Sequence, residues 1–203
     1  MRLYLKRKRI FDIILSLIAI ILLSPIYFSV ALAVKKISGS PIIFKQKRVG
    51  YNQKMFIMYK FRTMVKNAED LKEKYQNLNE AEGPVFKIKN DPRFTKIGKF
   101  LSHSNLDELP QFFNVLKGDM SIVGFRAPTP DEVKKYKNWH FERFKGSPGM
   151  TSLWAISGNH KKYSFDEWIK MDIGYNQNIS FLLDLKIITL TALNLFRKIT
   201  KIK

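Results

Sequence analysis

Residues 10–34 form an almost wholly apolar run, broken by Asp12 and Pro25 and otherwise carrying only Ser16, Ser24, Tyr27 and Ser29 as polar or amphipathic positions. That length suits a bilayer-embedded helix; it is too long for a cleaved signal peptide, and no small-residue cleavage site follows it. Arg2, Lys6, Arg7, Lys8 and Arg9 precede the run, and Lys35, Lys36, Lys45, Lys47 and Arg48 follow it. Positive charge marks the cytoplasmic side of a membrane segment, so both ends read as cytoplasmic. A straight helix would strand one cluster on the wrong side. A helix broken at Ser24-Pro25 enters and leaves by the same face, with Ser24 bonding backbone that proline leaves free. The reading is a re-entrant hairpin over residues 1–40 followed by a cytoplasmic domain over residues 41–203. A single span with a proline kink is the alternative. Asp12 is expected to pair with Lys8 or Arg9.

The chain has 36 Lys plus Arg against 17 Asp plus Glu, a net charge of +19 that requires an acidic partner. Nucleic acid is set aside, because much of this charge brackets the apolar run and no DNA- or RNA-binding motif is present. An anionic membrane surface and phosphorylated substrates remain. Cysteine is absent, which removes thiolate zinc sites and thiol nucleophiles, and His103, His140 and His160 have no metal-ligand spacing.

Residues 41–47 and 55–62 read as two strands joined by a turn at Gly50-Tyr51-Asn52. Alternation puts Phe56, Met58, Lys60 and Arg62 on one face, where two cations could clamp a diphosphate. Residues 65–79 are expected to form a charged, solvent-facing helix, and residues 83–93 a strand or loop ending at Asn90-Asp91-Pro92. Residues 104–118 carry two adjacent carboxylates, Asp107 and Glu108, expected in the first turn of a helix where its positive end favours their ionised forms. Leu109, Phe112, Phe113 and Leu116 would be its buried stripe and Gly118 its end. A loop then presents Arg126, which could fork onto a phosphate. Thr129-Pro-Asp-Glu132 caps a helix expected to run from Pro130 through Trp139, and residues 151–158 read as β-prone. Ser164-Phe-Asp-Glu167 caps another helix, which bears Asp172. Residues 180–198 repeat apolar residues at helical spacing, to pack on the core or to lie in the membrane interface. The fold class expected is α+β, mostly helical with a small β-hairpin, an N-terminal re-entrant membrane helix and interfacial amphipathic helices.

Several ordered motifs resemble one family. Beside the Ser-Pro-broken anchor stand Phe44-Lys-Gln-Lys-Arg48-Val-Gly50, Tyr59-Lys-Phe-Arg-Thr-Met64, Leu106-Asp-Glu-Leu-Pro110, Asn114-Val-Leu-Lys-Gly-Asp-Met-Ser121 and Phe181-Leu-Leu-Asp-Leu-Lys186. Over nearly the whole chain this is similar to the bacterial sugar transferases, the monotopic polyprenyl-phosphate phosphoglycosyl transferases. The resemblance implies transfer of a sugar phosphate from a UDP-sugar donor to a polyprenyl phosphate acceptor, with UMP released, at the cytoplasmic face of the bacterial inner membrane. It implies Asp107 as nucleophile, Glu108 with Asp107 as holder of Mg²⁺, Lys60 and Arg126 on phosphate, and Asp172 supporting the site; strand alternation adds Arg62.

The chain departs from the family pattern at Ser102-His103, Asn105, Phe125, Ala127, Ser152, Ala155 and Gly158-Asn159. The departures bear first on which substrate is recognised. A membrane scaffold of the same fold without turnover is the alternative reading, opposed by the retained acidic pair in a basic setting.

Overall fold

The structure, a computed structural model, describes residues 2–157 and 163–200. Gly158, Asn159 and His160 lie outside the described residues. The apolar run folds as two helices, α1 (Arg2–Leu22) and α2 (Ser24–Ser38), bent by 63°. Pro25 occupies the first turn of α2, where its missing N–H costs nothing. Ser24 Oγ donates to the Ile21 carbonyl at 2.8 Å and Ser29 Oγ to the Pro25 carbonyl at 2.8 Å, so serines take up backbone oxygens at the break. Among the described residues no single helix is long and apolar enough to cross a membrane; the bent pair together meets that length and composition. Ile10, Ile14, Leu17, Ile18, Ile21, Leu22 and Phe28 stand exposed on it.

The other face of α1 is polar and buried, with Lys8, Asp12 and Ser16 at successive helical turns. Lys8 Nζ lies 2.7 Å from Asp184 of α7 (Phe181–Thr200), and Tyr4 donates to the same carboxylate oxygen at 2.6 Å. Tyr175 donates to the other oxygen. The expected Lys8–Asp12 pair is present only at 3.8 Å. Asp12 instead accepts from Ser121 Oγ at 2.7 Å and from the Ile122 N–H at 3.1 Å. Arg9 donates to the carbonyls of Val115 and Leu116. The first helix is therefore fastened to the body of the protein through its polar stripe.

Strands β1 (Ile43–Val49) and β2 (Met55–Phe61) form the expected antiparallel hairpin, in the register Phe44 with Lys60, Gln46 with Met58 and Arg48 with Phe56. β2 ends one residue short of the expected strand, at Phe61. Residues 65–79 do not form the expected helix: they run as turns, with one short 3-10 segment at Glu73–Leu78. Only Ala68 in that stretch is buried, so no apolar face holds a helix down. A second sheet, unanticipated in the sequence, pairs β3 (Ser121–Val123) with β4 (Gly149–Thr151) in parallel. At its end the backbones of Gly124 and Gly149 cross so closely that a Cβ on Gly149 would sit 2.1 Å from the Gly124 nitrogen. Residues 155–157 form a 3-10 turn where more strand was expected.

Helix α3 (Gly98–Ser104) closes on Asn105 in the left-handed conformation. A 3-10 turn, Leu106–Glu108, follows, and α4 spans only Gln111–Lys117. Asp107 and Glu108 thus precede the helix instead of sitting within it, because Pro110 cannot lie deeper than a first turn. Gly118 ends α4 at φ 92°, as expected. The expected apolar stripe is present only in part: Leu109 and Phe112 are half-buried and pack against the core, but the fully buried residues of α4 are Gln111, Asn114 and Val115, and Phe113 is 43% exposed. Phe113 faces the α2 side, edge-on to the Tyr27 ring with centroids 6.0 Å apart. Helix α5 (Pro130–Val133) has its expected Thr129 cap but stops six residues early, and a 3-10 stretch over Asn138–Lys145 follows. The full capping box of Ser164 and Glu167 opens α6 (Phe165–Gln177).

The body is assembled on Asn114, which is fully buried. Its Oδ1 accepts from the Tyr59 N–H at 3.0 Å, and its Nδ2 donates to the Ile57 carbonyl at 2.6 Å and to Asp119 at 3.1 Å. One side chain thereby substitutes for a third strand along the free edge of β2. Asn114→Ala deprives the Tyr59 N–H and the Ile57 carbonyl, both in part-buried hydrogen bonds, of their partner, at roughly 1–3 kcal/mol each. We expect a loss of about 2–5 kcal/mol in unfolding by denaturant in detergent, and a loss below about 0.5 kcal/mol would contradict this role.

Candidate active site

The 3-10 turn and β2 bring three charges together. Lys60 Nζ is 2.6 Å from Glu108 Oε1 and 3.8 Å from Asp107 Oδ2. Asp107 is buried, at 6% exposure, whereas the Glu108 side chain is 31% exposed and that of Lys60 23%. Burial pushes the Asp107 carboxyl up to about 6; Lys60 opposes this and the neighbouring Glu108 adds to it. Burial also acts to raise Glu108, but Lys60, Arg48 and Arg126 outweigh it and hold that group below the ordinary glutamate value. Burial would lower Lys60, but the two acids prevail and raise it. Two adjacent carboxylates are thus held in unequal states, one easily protonated and one firmly anionic.

Arg126 enters from the loop after β3. Its guanidinium forks onto Glu132, Nη1 to Oε2 at 2.7 Å and Nη2 to Oε1 at 3.1 Å, while the side chain remains 32% exposed. Sequence reasoning missed the role of Glu132, because a capping-box acid is expected to reach back to its own cap. Arg48 was missed as well. It is buried, donates to Gln46 Oε1 at 2.9 and 2.6 Å and to the Ala127 carbonyl at 2.7 Å, and is pushed down to about 10 by burial and by Arg126. The signal was available: the hairpin register puts Arg48 on the same sheet face as Lys60.

Asp172 is buried in an ion pair with Arg143, away from the solvent side of the site. Burial pushes it up to about 6 against the pull of Arg143. Arg143 also donates to the Arg126 carbonyl at 3.1 Å and to the Tyr136 hydroxyl at 2.7 Å. Asp172 is therefore linked to the Arg126 backbone through Arg143. Arg62 goes elsewhere: the strand ends before it, and its guanidinium donates to the carbonyls of Ser38 and Gly39 at the end of α2. Lys60 and Arg62 do not converge, which corrects the expectation of a two-cation clamp on one strand face.

No group of three or more acids and histidines suited to a metal occurs among the described residues. Asp107 and Glu108 nonetheless offer hard carboxylate oxygens side by side. Mg²⁺ is commonly held by one or two carboxylates, with water and substrate phosphate completing its shell, so the pair fits that ion.

A buried carboxylate with an anionic neighbour, ringed by cations from β1, β2 and the loop after β3, is what a phosphoryl-transfer enzyme requires. The chain belongs to the bacterial sugar transferase family, whose model matches residues 3–198. It is 44% identical over 188 residues to the galactosyl transferase CpsE of Streptococcus agalactiae, covering 93% of this chain and 42% of that protein. It is 40% identical over 192 residues to the UDP-glucose:undecaprenyl-phosphate glucose-1-phosphate transferase of Klebsiella pneumoniae, covering 91% and 39%. It is 37% identical over 185 residues to the exopolysaccharide production protein ExoY of Sinorhizobium fredii, covering 89% and 81%. The chain thus spans about two fifths of the first two relatives.

The unequal environments of the acidic pair can be read directly. In metal-free buffer, carboxyl ¹³C resonances of aspartate-labelled protein should show Asp107 titrating near 6, ionised above and protonated below. Glu108→Gln removes a neighbouring negative charge and should lower the midpoint. Lys60→Met removes the opposing positive charge and should raise it. A midpoint at the ordinary aspartate value, unmoved by either change, would contradict the geometry.

Proposed function

We propose that the chain transfers a sugar phosphate from a UDP-sugar to polyprenyl phosphate through a covalent intermediate on Asp107, beginning lipid-linked glycan assembly. The observation that carries this reading is the burial of Asp107 beside Lys60 and Glu108. The names of the relatives support the substrates. An Asp107 oxygen attacks the phosphorus bonded to the sugar. The bond from that phosphorus to the bridging oxygen breaks, and the oxygen leaves with the electron pair as part of UMP. A phosphate oxygen of the polyprenyl phosphate then attacks the same phosphorus, and Asp107 departs as carboxylate. No net proton is consumed in either step.

Lys60 and Arg126 receive the negative charge of the diphosphate, which would otherwise repel the attacking carboxylate. Glu108 keeps Lys60 charged and placed. Mg²⁺ held by Glu108 and Asp107 would supply further charge neutralisation on the diphosphate when bound. The retained acidic pair and its cations disfavour the reading as a scaffold without turnover, since adjacent like charges are costly without a task.

The membrane reading accompanies the chemistry. The bent α1–α2 pair with cationic flanks at both ends supports a re-entrant hairpin seated in the cytoplasmic leaflet of the inner membrane. Residues 181–200 contribute an apolar face at the interface.

Two experiments test these readings. Protein quenched after exposure to UDP-sugar alone should carry the sugar phosphate on the peptide containing Asp107, with UMP released in an acceptor-free burst. Asp107→Asn should keep the fold and lose turnover by a factor on the order of 10³ or more. Turnover close to normal in that variant would instead indicate direct attack by the lipid phosphate. For the topology, cysteines placed at the exposed positions Lys6 and Lys36 should both resist an impermeant thiol reagent applied to intact cells. Labelling of one and not the other would establish a span.

A further inference from the structure

Helix α7 has two distinct faces. Leu182, Leu185, Leu193 and Phe196 are exposed on one of them. Asp184, Ile187, Thr191, Asn194 and Lys198 share the other, at helical spacing. Each of these meets the body of the protein. Asp184 takes Lys8, and Ile187 is fully buried in the main core. Thr191 Oγ1 lies 2.7 Å from Thr151 Oγ1, and Asn194 Nδ2 donates to the Ile156 carbonyl at 2.8 Å. The same face ends with Lys198 Nζ donating to Asn105 Oδ1 at 2.6 Å. The Asn105 carbonyl in turn accepts from the Glu108 N–H at 3.1 Å, closing the 3-10 turn that holds the acidic pair. Lys198 is therefore one residue away from the catalytic turn.

Lys87, in the segment before α3, is near enough to Lys198 to feel its charge. Its backbone is clamped, with its N–H donating to Asn79 Oδ1 at 2.8 Å and its carbonyl accepting from the Glu80 N–H at 2.8 Å. Among the described residues, neither Lys87 nor Lys198 forms an ion pair with a carboxylate, unlike Lys8 and Lys60. Partial loss of water lowers Lys87 below the ordinary lysine value, and the nearby Lys198 and Arg126 cations lower it further. Both ammonium groups feel the charge of Glu108 without forming an ion pair with it, so each is open to an anion beside the acidic pair.

We propose that Lys198, with Lys87, is the seat of the acceptor's phosphate, a cation pair beside the Lys60 and Arg126 set that takes the donor. The assignment rests on the transfer proposed above. The acceptor is favoured over the donor by what α7 carries outward. A phosphomonoester on a polyprenyl chain arrives with its hydrocarbon in the apolar layer that covers Leu182, Leu185, Leu193 and Phe196. Lys198 stands on the opposite face near the end of that helix, one hydrogen bond from Asn105. A nucleotide sugar is water-soluble and approaches from the polar side, where Arg126 is exposed.

The test separates the two half-reactions in nanodisc-borne protein. Lys198→Gln should raise KM for polyprenyl phosphate at least about tenfold, as expected for one lost charge-assisted hydrogen bond. The rate of acceptor-free adduct formation from UDP-sugar should stay within about twofold of wild type. Lys198→Arg should recover most of the acceptor affinity, and Lys87→Gln should move KM in the same direction. Arg197→Gln, an exposed neighbouring charge, should change neither quantity. Slower adduct formation would assign Lys198 to the donor, and an unchanged acceptor KM would remove it from the site. An equal effect of Arg197→Gln would reduce both residues to general attraction for anionic lipid. If wild-type protein forms no adduct, the covalent route fails. Equilibrium binding of polyprenyl phosphate to wild type and Lys198→Gln, measured without donor, then decides the acceptor seat by itself.

Discussion

The side-chain amide of Asn114 makes the hydrogen bonds on which the geometry of the site rests. A two-stranded hairpin is marginal alone, and its free edge must be satisfied or covered. Asn114 satisfies it at Ile57 and Tyr59, the residues just before Lys60, and it does so from the helix that immediately follows Asp107 and Glu108. One amide thus sets the distance between the cation and the acids. Arg9 holds the carbonyls at the far end of the same helix, so α4 is fixed at one end by the N-terminal helix and in its middle by the strand.

The electrostatics follow from that fixation. A single lysine cannot neutralise two carboxylates equally when one is buried and the other is partly open to water. Glu108 takes the short contact and Asp107 the longer one. The buried acid is left with less compensation and a raised proton affinity, while remaining largely ionised at neutral pH. Around them the arginines are already committed. Arg126 is forked on Glu132, Arg48 on Gln46 and Ala127, and Arg143 on Asp172. These pairs order the cations in advance of any ligand.

The features legible in the sequence were local. The break at Ser24-Pro25, the hairpin with its turn, the boxed start of α6 and the adjacency of Asp107 and Glu108 are each set by residues a few positions apart. What was not legible depends on distant partners. Alternation assigned Arg62 to the face of Lys60, but alternation holds only while the ladder does, and Arg62 lies past its end, next to the carbonyls of α2. The stripe predicted for α4 counted apolar residues without the competing polar demand of the β2 edge, which Asn114 meets. Glu132 served two roles that a capping pattern cannot distinguish. The parallel β3–β4 pair has three residues per strand, too few for any periodic signal. Lys198 reads locally as an ordinary cation at a helix end; only the packing of α7 brings it to Asn105.

Lys8, Arg9 and Asp12 have a consequence for how the protein can be divided. All three lie in the segment that would be called an anchor, yet their partners are Asp184, Val115, Leu116, Ser121 and Ile122, in the interior and behind the acidic turn. Cutting the chain after residue 40 to obtain a soluble fragment would open a polar seam through the core and leave a buried aspartate without its lysine. The first helix is part of the foundation of the folded body, and a fragment lacking it begins with its interior exposed.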